Sequence, residues 1–325
     1  MRSRLLPTRR LLLLAGALLA PPPLFAQTVT TTADTGPGSL RETLDAAAPD
    51  AQIGFQLGAG ASPTIALPDG ADPLVVGVDG VRIDGSGAPG LAISGTQAMA
   101  SDPLPVILQL DAGGADDEVT FVDVNQRTGI VELDGTLVYR TQNDTRLDVD
   151  IRDLAGGTGA LVKEGSALLT LSGENAFSGG IRVLDGTLQG PAQSFPGDIE
   201  NGGRVVFDQP IDDPMSPTPG VYSGLVTDGT LDNGDTVAGR VTKTGDGELR
   251  LDGGAHGFTG GTTVEAGRLV LESGTSLDPA GALTVNSAGT LEMQLGAAST
   301  ATLEAPSPAA VASSSTAPTP ARCSS

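Results

Sequence analysis

The side chains able to do chemistry in this 325-residue chain are mostly carboxylates, in three groups: Asp116-Asp117-Glu118, Asp148 with Asp150 and Asp153, and Asp212-Asp213. Paired carboxylates on a rigid surface can serve as acid and base in polysaccharide cleavage. Together with turn carbonyls they can also hold Ca²⁺. The local pattern weighs against both uses. Asp148 and Asp150 alternate with Leu147, Val149 and Ile151, as on a solvated strand face, and Asp212-Asp213-Pro214 reads as a loop. Neither an EF-hand nor a glycine-aspartate nonapeptide spacing is present. His256 is the only histidine and lies in a glycine-rich stretch, so a multi-histidine zinc site is excluded and a loop hydrogen bond suits it better than a role as catalytic base. The one cysteine, Cys323, allows no internal disulfide, and no Gly-x-Ser-x-Gly or Gly-Asp-Ser-Gly nucleophile motif occurs. This reading assigns no catalytic, cofactor-binding or metal-binding residue.

Charge narrows the partners further. With 18 Lys+Arg against 39 Asp+Glu the formal charge is −21, which opposes binding to a phosphate backbone and removes nucleic acid as a partner. Without tryptophan and with seven Phe and two Tyr, the core must be built from small aliphatic side chains, which suits thin, layered β structure. Residues 1–26 have the three parts of a secretory signal: Arg2, Arg4, Arg9 and Arg10, the apolar run Leu11 to Ala20, and a Pro/Ala-rich end. That run is about half of what a bilayer span needs, so it reads as a removable leader with the mature chain starting near Gln27.

Only one stretch has helical periodicity, Ser39 to Ala48, where Ser39 and Glu42 form a capping box and Leu40 and Leu44 one apolar stripe. A helix of about two to three turns is expected there. Elsewhere the apolar residues alternate, as in Ile53 to Leu57, Val106 to Leu110, Val119 to Val124 and Leu147 to Ile151, which predicts short strands. Asp-Gly and Asn-Gly dipeptides separate them. The chain is therefore a sandwich, a barrel or a solenoid, and an internal repeat decides between these. Leu161 to Gly173 aligns with Val241 to Gly253 at an offset of 80, and Phe177 to Leu188 with Phe258 to Leu269 at 81. The only two lysines, Lys163 and Lys243, share one repeat position. Duplicated units of this size stack to cover each other's apolar faces, which favours the solenoid, with a degenerate third copy at Ala282 to Val285 and Thr290 to Met293.

The repeats resemble the autotransporter-associated β-strand repeat: a Lys-x-Gly turn, a Leu-Thr-Leu-Ser-Gly strand, an Asn-x-aromatic-Ser-Gly-Gly loop and a Val-x-x-Gly-x-Leu strand. The positions that carry the pattern are Lys163, Gly165, Gly173, Phe177, Gly179 and Gly180 in the first copy, and Lys243, Gly245, Gly253, Phe258, Gly260 and Gly261 in the second. In the second copy Arg250 and Asp252 replace Thr and Ser, and His256 stands where the first has Asn175. Ala33 to Glu42 is similar to the N-terminal cap segment of secreted β-helix proteins, with Gly38 where that segment often has Cys.

The resemblance implies an all-β fold, a right-handed parallel β-helix with one short N-terminal capping helix, built as an exported autotransporter passenger. The expected organisation is a signal peptide at 1–26, a cap and first coils at 27–157, coils with the repeats 161–188 and 241–271 at 158–304, and a disordered Ala/Ser/Pro/Thr tail at 305–325. Only 54 residues follow Leu271, against roughly 80 for the strands of even an eight-stranded barrel, so no translocating barrel is legible here. Two alternatives stay open, a truncated passenger whose partner is the outer-membrane barrel of the complete protein, and a stand-alone exported β-helix. The resemblance implies a surface-exposed or secreted structural and adhesive role toward host or neighbouring-cell glycans or proteins, with repeats that aid passenger folding and export. A β-helix polysaccharide lyase or glycoside hydrolase is the rival. Residues 191–237, with Pro210, Pro214, Pro217 and Pro219, read as an insertion that is either a binding loop or a spacer.

Overall fold

The computed structural model describes residues 27–58, 62–99, 102–111, 114, 117–211, 219–231 and 233–294, and the backbone of 300–304. The leader at 1–26, the tail at 305–325, Asp116, Asp212-Asp213 and Cys323 lie outside the described residues.

Alternating strands with tight corners close into a coil when each strand finds its partner one coil further along. Here almost every pairing is parallel, and the pairings define three faces. Face 1 stacks Gln27–Val29, Gln52–Phe55, Arg82–Asp84, Glu118–Val122, 136–140, Gly159–Glu164, Ile181–Val183, Ile199–Asn201 and Val226–Thr230. Face 2 runs from Thr64–Leu67 and Ala92–Gly95 through Leu168–Leu171, Thr187–Gly190, Arg204–Asp208 and Arg240–Thr244 to 262–264 and 283–285. Face 3 holds Leu74–Val76, Val106–Asp111, 130–134 and 150–153, and later Gly220–Tyr222, Glu248–Leu251, 268–271 and 290–294. The chain is a parallel β-helix, and its ladders pass from the coils before residue 157 to those after it.

The core is a set of axial columns. On face 1, Ile53, Ile83, Phe121, Tyr139, Lys163, Val183 and Asn201 lie in register; on face 3, Leu249, Leu269 and Leu291 do. All are essentially buried, and each aliphatic one contributes roughly 1.5–3 kcal/mol by leaving water. Every described aromatic side chain is buried too, which keeps ring faces off the surface.

The N-terminal helix is shorter than the periodicity predicts: it spans Leu40–Asp45, with Leu40 and Leu44 buried. Ser39 Oγ accepts from Glu42 N at 3.2 Å, while Glu42 Oε2 reaches one residue further back than a capping box does, to Gly38 N at 2.7 Å. The helix stops because Pro49 disfavours helical backbone at Ala48, and Asp50, at φ 61, turns the chain toward Gln52–Phe55. It packs against Gln27–Val29 and Leu74–Val76 and so covers the first end of the stack.

The described residues of 191–237 are not an insertion beside the β-helix. They contain Ile199–Asn201, Arg204–Asp208, Gly220–Tyr222 and Val226–Thr230, which continue faces 1, 2, 3 and 1 in turn. The described part that departs from the coil is an antiparallel hairpin, Val226–Thr230 with Thr236–Val237, in which Gly234 takes φ 84. Most other Asp-Gly pairs serve corners between parallel strands, because the partner of each strand lies a coil away and not across a hairpin.

Candidate functional site

The repeats place a lysine on the inside of the coil. Leu161 and Lys163, two residues apart on one strand, point the same way, so the strand that buries Leu161 also buries Lys163. Lys163 Nζ donates to Glu164 O (3.0 Å), Gly165 O (2.6 Å) and, one coil on, Asp185 O (3.1 Å). Lys243 Nζ repeats the arrangement on Thr244 O (2.5 Å), Gly245 O (2.7 Å) and Ala266 O (3.4 Å). Both lysines are fully buried without an ion pair among the described residues, and burial pushes both down to about 8, against the partial opposing pull of Asp185 and Glu164, or of Asp208 and Asp246. Each ammonium thus ties the corner carbonyls of two successive coils.

Glycine makes that corner possible. Gly165 and Gly245 take φ 77 and 70, and a Cβ there would run into the backbone carbonyl of Thr141 or Gln209 in the preceding coil. At Gly173, Gly179, Gly253 and Gly260 the backbone presses against a carbonyl of the coil before, of Val149, Gly159, Gly224 and Gly239 respectively. Gly180 and Gly261 follow at φ 77 and 98 and lead into Ile181 and Thr262. Phe177 and Phe258 close the corner from inside, 3% and 2% exposed.

The two repeats do not lie on the same faces. In the first, the lysine strand stacks on 136–140 and belongs to face 1; in the second it stacks on Arg204–Asp208 and belongs to face 2. Ala176 bridges Arg152 on face 3, whereas its counterpart Gly257 bridges Thr227 on face 1. The second unit is the first one turned by one face of the triangle.

Asn175 and His256 show what the corner requires. Asn175 Oδ1 accepts from Ile151 N (2.8 Å) and its Nδ2 donates to Ser194 O (2.8 Å), joining the coils before and after. His256 Nδ1 accepts from Val226 N (3.1 Å), but its Nε2 has no partner among the described residues. Burial lowers the His256 pKa, so the imidazole is neutral at pH 7.

Asp148, Asp150 and Asp153 are occupied structurally. Asp148 is paired with Arg146 at 3.0 Å and accepts Ser172 Oγ at 2.5 Å. Burial works to raise its pKa, but hydrogen bonds from Arg146 and Ser172 outweigh that and hold it below the ordinary carboxylate value, the wrong direction for a general acid. Asp150 accepts from Glu174 N, and Asp153 from Gly159 N and Ser178 N. The same device recurs along the axis: Asp79 to Glu118 N, Asp134 to Thr158 N, Asp198 to Leu225 N, Asp228 to Thr259 N. Sequence reasoning missed these staples, because each carboxylate's partner is a backbone amide one coil or so downstream. Among the described residues no group of three or more His, Cys, Asp or Glu is placed to hold a metal ion.

Fold and repeats define the class: a parallel β-helix that carries two copies of one corner unit. The family model described as passenger-associated-transport-repeat matches residues 161–189 and 241–271, so the chain carries two such repeats. It is 30% identical over 128 residues, 35% of this chain, to the Adhesin BmaC autotransporter of Brucella suis biovar 1 (strain 1330). The chain spans about 4% of the length of that curated relative. No solved structure matches it.

Proposed function

We propose that this chain is a stretch of surface-exposed or secreted passenger that acts as a rigid, non-enzymatic stalk with adhesive faces, and that its repeats aid folding and export. The observation that carries this reading is two passenger-associated-transport-repeats built into one parallel β-helix. Similarity to an autotransporter adhesin supports the adhesive part. A shape whose interior is filled by stacked side chains offers long faces, which suits repeated shallow contacts with glycans or proteins on a host or neighbouring cell. Beads coated with the purified chain are expected to attach saturably to such cells; bare-bead levels of attachment would leave only the stalk. Turnover of any acidic or neutral polysaccharide, abolished by Asp148→Asn or Asp150→Asn, would instead establish the hydrolytic rival.

A further inference from the structure

Among the described residues arginine is almost always neutralised. Arg41, Arg82, Arg140, Arg146, Arg152, Arg182, Arg204, Arg250 and Arg268 each form an ion pair, and Arg127 lies in register beside Asp148. Arg240 differs. It is exposed, has no ion pair among the described residues, and its neighbours in register are another arginine, Arg204, and across the next coil step the strand that starts at Thr262. Like charges directly opposite each other in a sheet destabilise it. A protein of charge −21 has carboxylates to spare, yet the one placed here, Glu265, pairs with Arg204 and leaves Arg240 unmatched among the described residues.

The surroundings explain what the pair can serve. Both arginines sit at the entry edge of face 2, pointing outward, because Val205 and Val241 beside them point in. Further along the axis that edge is Gly261 and Ala282, so the floor next to Arg240 falls away into a groove of about 360 Å³. Its side wall is a column of threonines, Thr242, Thr263 and Thr284, in register on successive strands. Arg204 is held in place by Nε on Thr242 Oγ1 (3.0 Å) and Nη2 on Glu265 Oε1 (3.0 Å), while the guanidinium of Arg240 makes no described side-chain contact. Four coils at about 4.8 Å spacing give a groove roughly 14 Å long, cationic at one end and lined by hydroxyls.

We infer that this groove on face 2 binds an acidic polysaccharide, with a uronate group on Arg240 and sugar hydroxyls along Thr263 and Thr284. This deepens the adhesive reading and rests on it. Guanidinium recognises planar oxyanions by paired hydrogen bonds, and threonines exchange hydrogen bonds with hydroxyls. The strongly negative remainder of the molecule disfavours a densely charged polymer and selects one with spaced charges.

The test is binding of the full chain to immobilised hyaluronan, heparin, dextran and polyglutamate, with Arg240→Gln, Arg204→Gln and, as control, Arg127→Gln. The expected result is binding to hyaluronan and not to heparin, dextran or polyglutamate, weakened tenfold or more by Arg240→Gln, weakened also by Arg204→Gln, which leaves Glu265 unpaired beside the groove, unchanged in Arg127→Gln, and reduced by salt. Arg240→Gln is expected to melt no lower than the parent, since it removes a like-charge neighbour. Equal binding by all variants, or a preference for heparin or polyglutamate, overturns the inference. Attachment to cells without binding to hyaluronan overturns it while leaving the adhesive reading intact; failure to attach to cells overturns that reading itself.

Discussion

Replacing both lysines by methionine tests the idea that each ammonium is a buried tie between coils. In the unfolded chain a lysine keeps its proton up to its ordinary value of 10.5, whereas in the folded chain Lys163 and Lys243 lose theirs near 8. Between these values the unfolded state binds more protons, so stability rises with pH across that window. The gap corresponds to about 3 kcal/mol per lysine, of which about 2 kcal/mol is regained between pH 7 and 9.5. The double variant Lys163→Met, Lys243→Met has no such slope. At pH 7 it is nevertheless the less stable protein, because Gly165 O, Asp185 O and Gly245 O lose the lysine donor, and an unmet buried carbonyl costs about 1–3 kcal/mol. After the relief of the ammonium's own desolvation, a net loss of about 1–3 kcal/mol per site is expected. Urea unfolding followed by far-UV circular dichroism at half-unit steps from pH 7 to 9.5 measures both effects. If the parent and the double variant gave parallel curves, or if methionine were stabilising at pH 7, the buried-tie argument would be refuted.

Three other substitutions probe the coil interior. Gln126 is fully buried between Ile93 and Leu147 with neither amide atom partnered among the described residues, so Gln126→Leu is expected to stabilise by about 1–3 kcal/mol in the same urea assay. Gly186 has φ 72 and stands under the carbonyls of Gly165 and Ala167, so Gly186→Ala should cost about 2–4 kcal/mol, visible as a lower melting temperature. His256 has a lowered pKa, so the stability tied to its neutral form is complete above its ordinary 6.5 and is lost as pH falls below that value. Thermal melts at pH 7 and pH 5 should show this loss in the parent and not in His256→Asn, which restores the residue found at the corner of the first repeat.

Much of the fold was legible because local signals agreed with the global one. Ser39 capped the helix, the alternating runs at 106–110 and 147–151 became strands, and the offset of 80 to 81 gave the stack. What stayed hidden depends on neighbours a coil away. Lys163 follows Leu161 by two, so alternation places it inside, but its charge argues for the outside until three carbonyls of two coils are seen to receive it. The prolines of 191–237 suggested a loop, yet four strands there find partners on existing ladders, and an apolar residue such as Val205 or Val226 needs only that partner to be buried. The aspartates of 148–153 read as a solvated strand face, and sequence does not show that Glu174 N, Gly159 N and Ser178 N use them.

The turn of the second repeat by one face separates two kinds of information in the chain. The repeat specifies how to go round a corner, while the residues between repeats specify how far round the axis the next corner falls. Length and bearing are therefore set independently, much as a spiral stair can be extended by a whole flight or by a third of one. Lengthening such a passenger by whole coils carries a binding face outward along the same line. Adding or removing a third of a coil between repeats rotates everything beyond it, and points the same surface at a different neighbour without altering a residue of that surface.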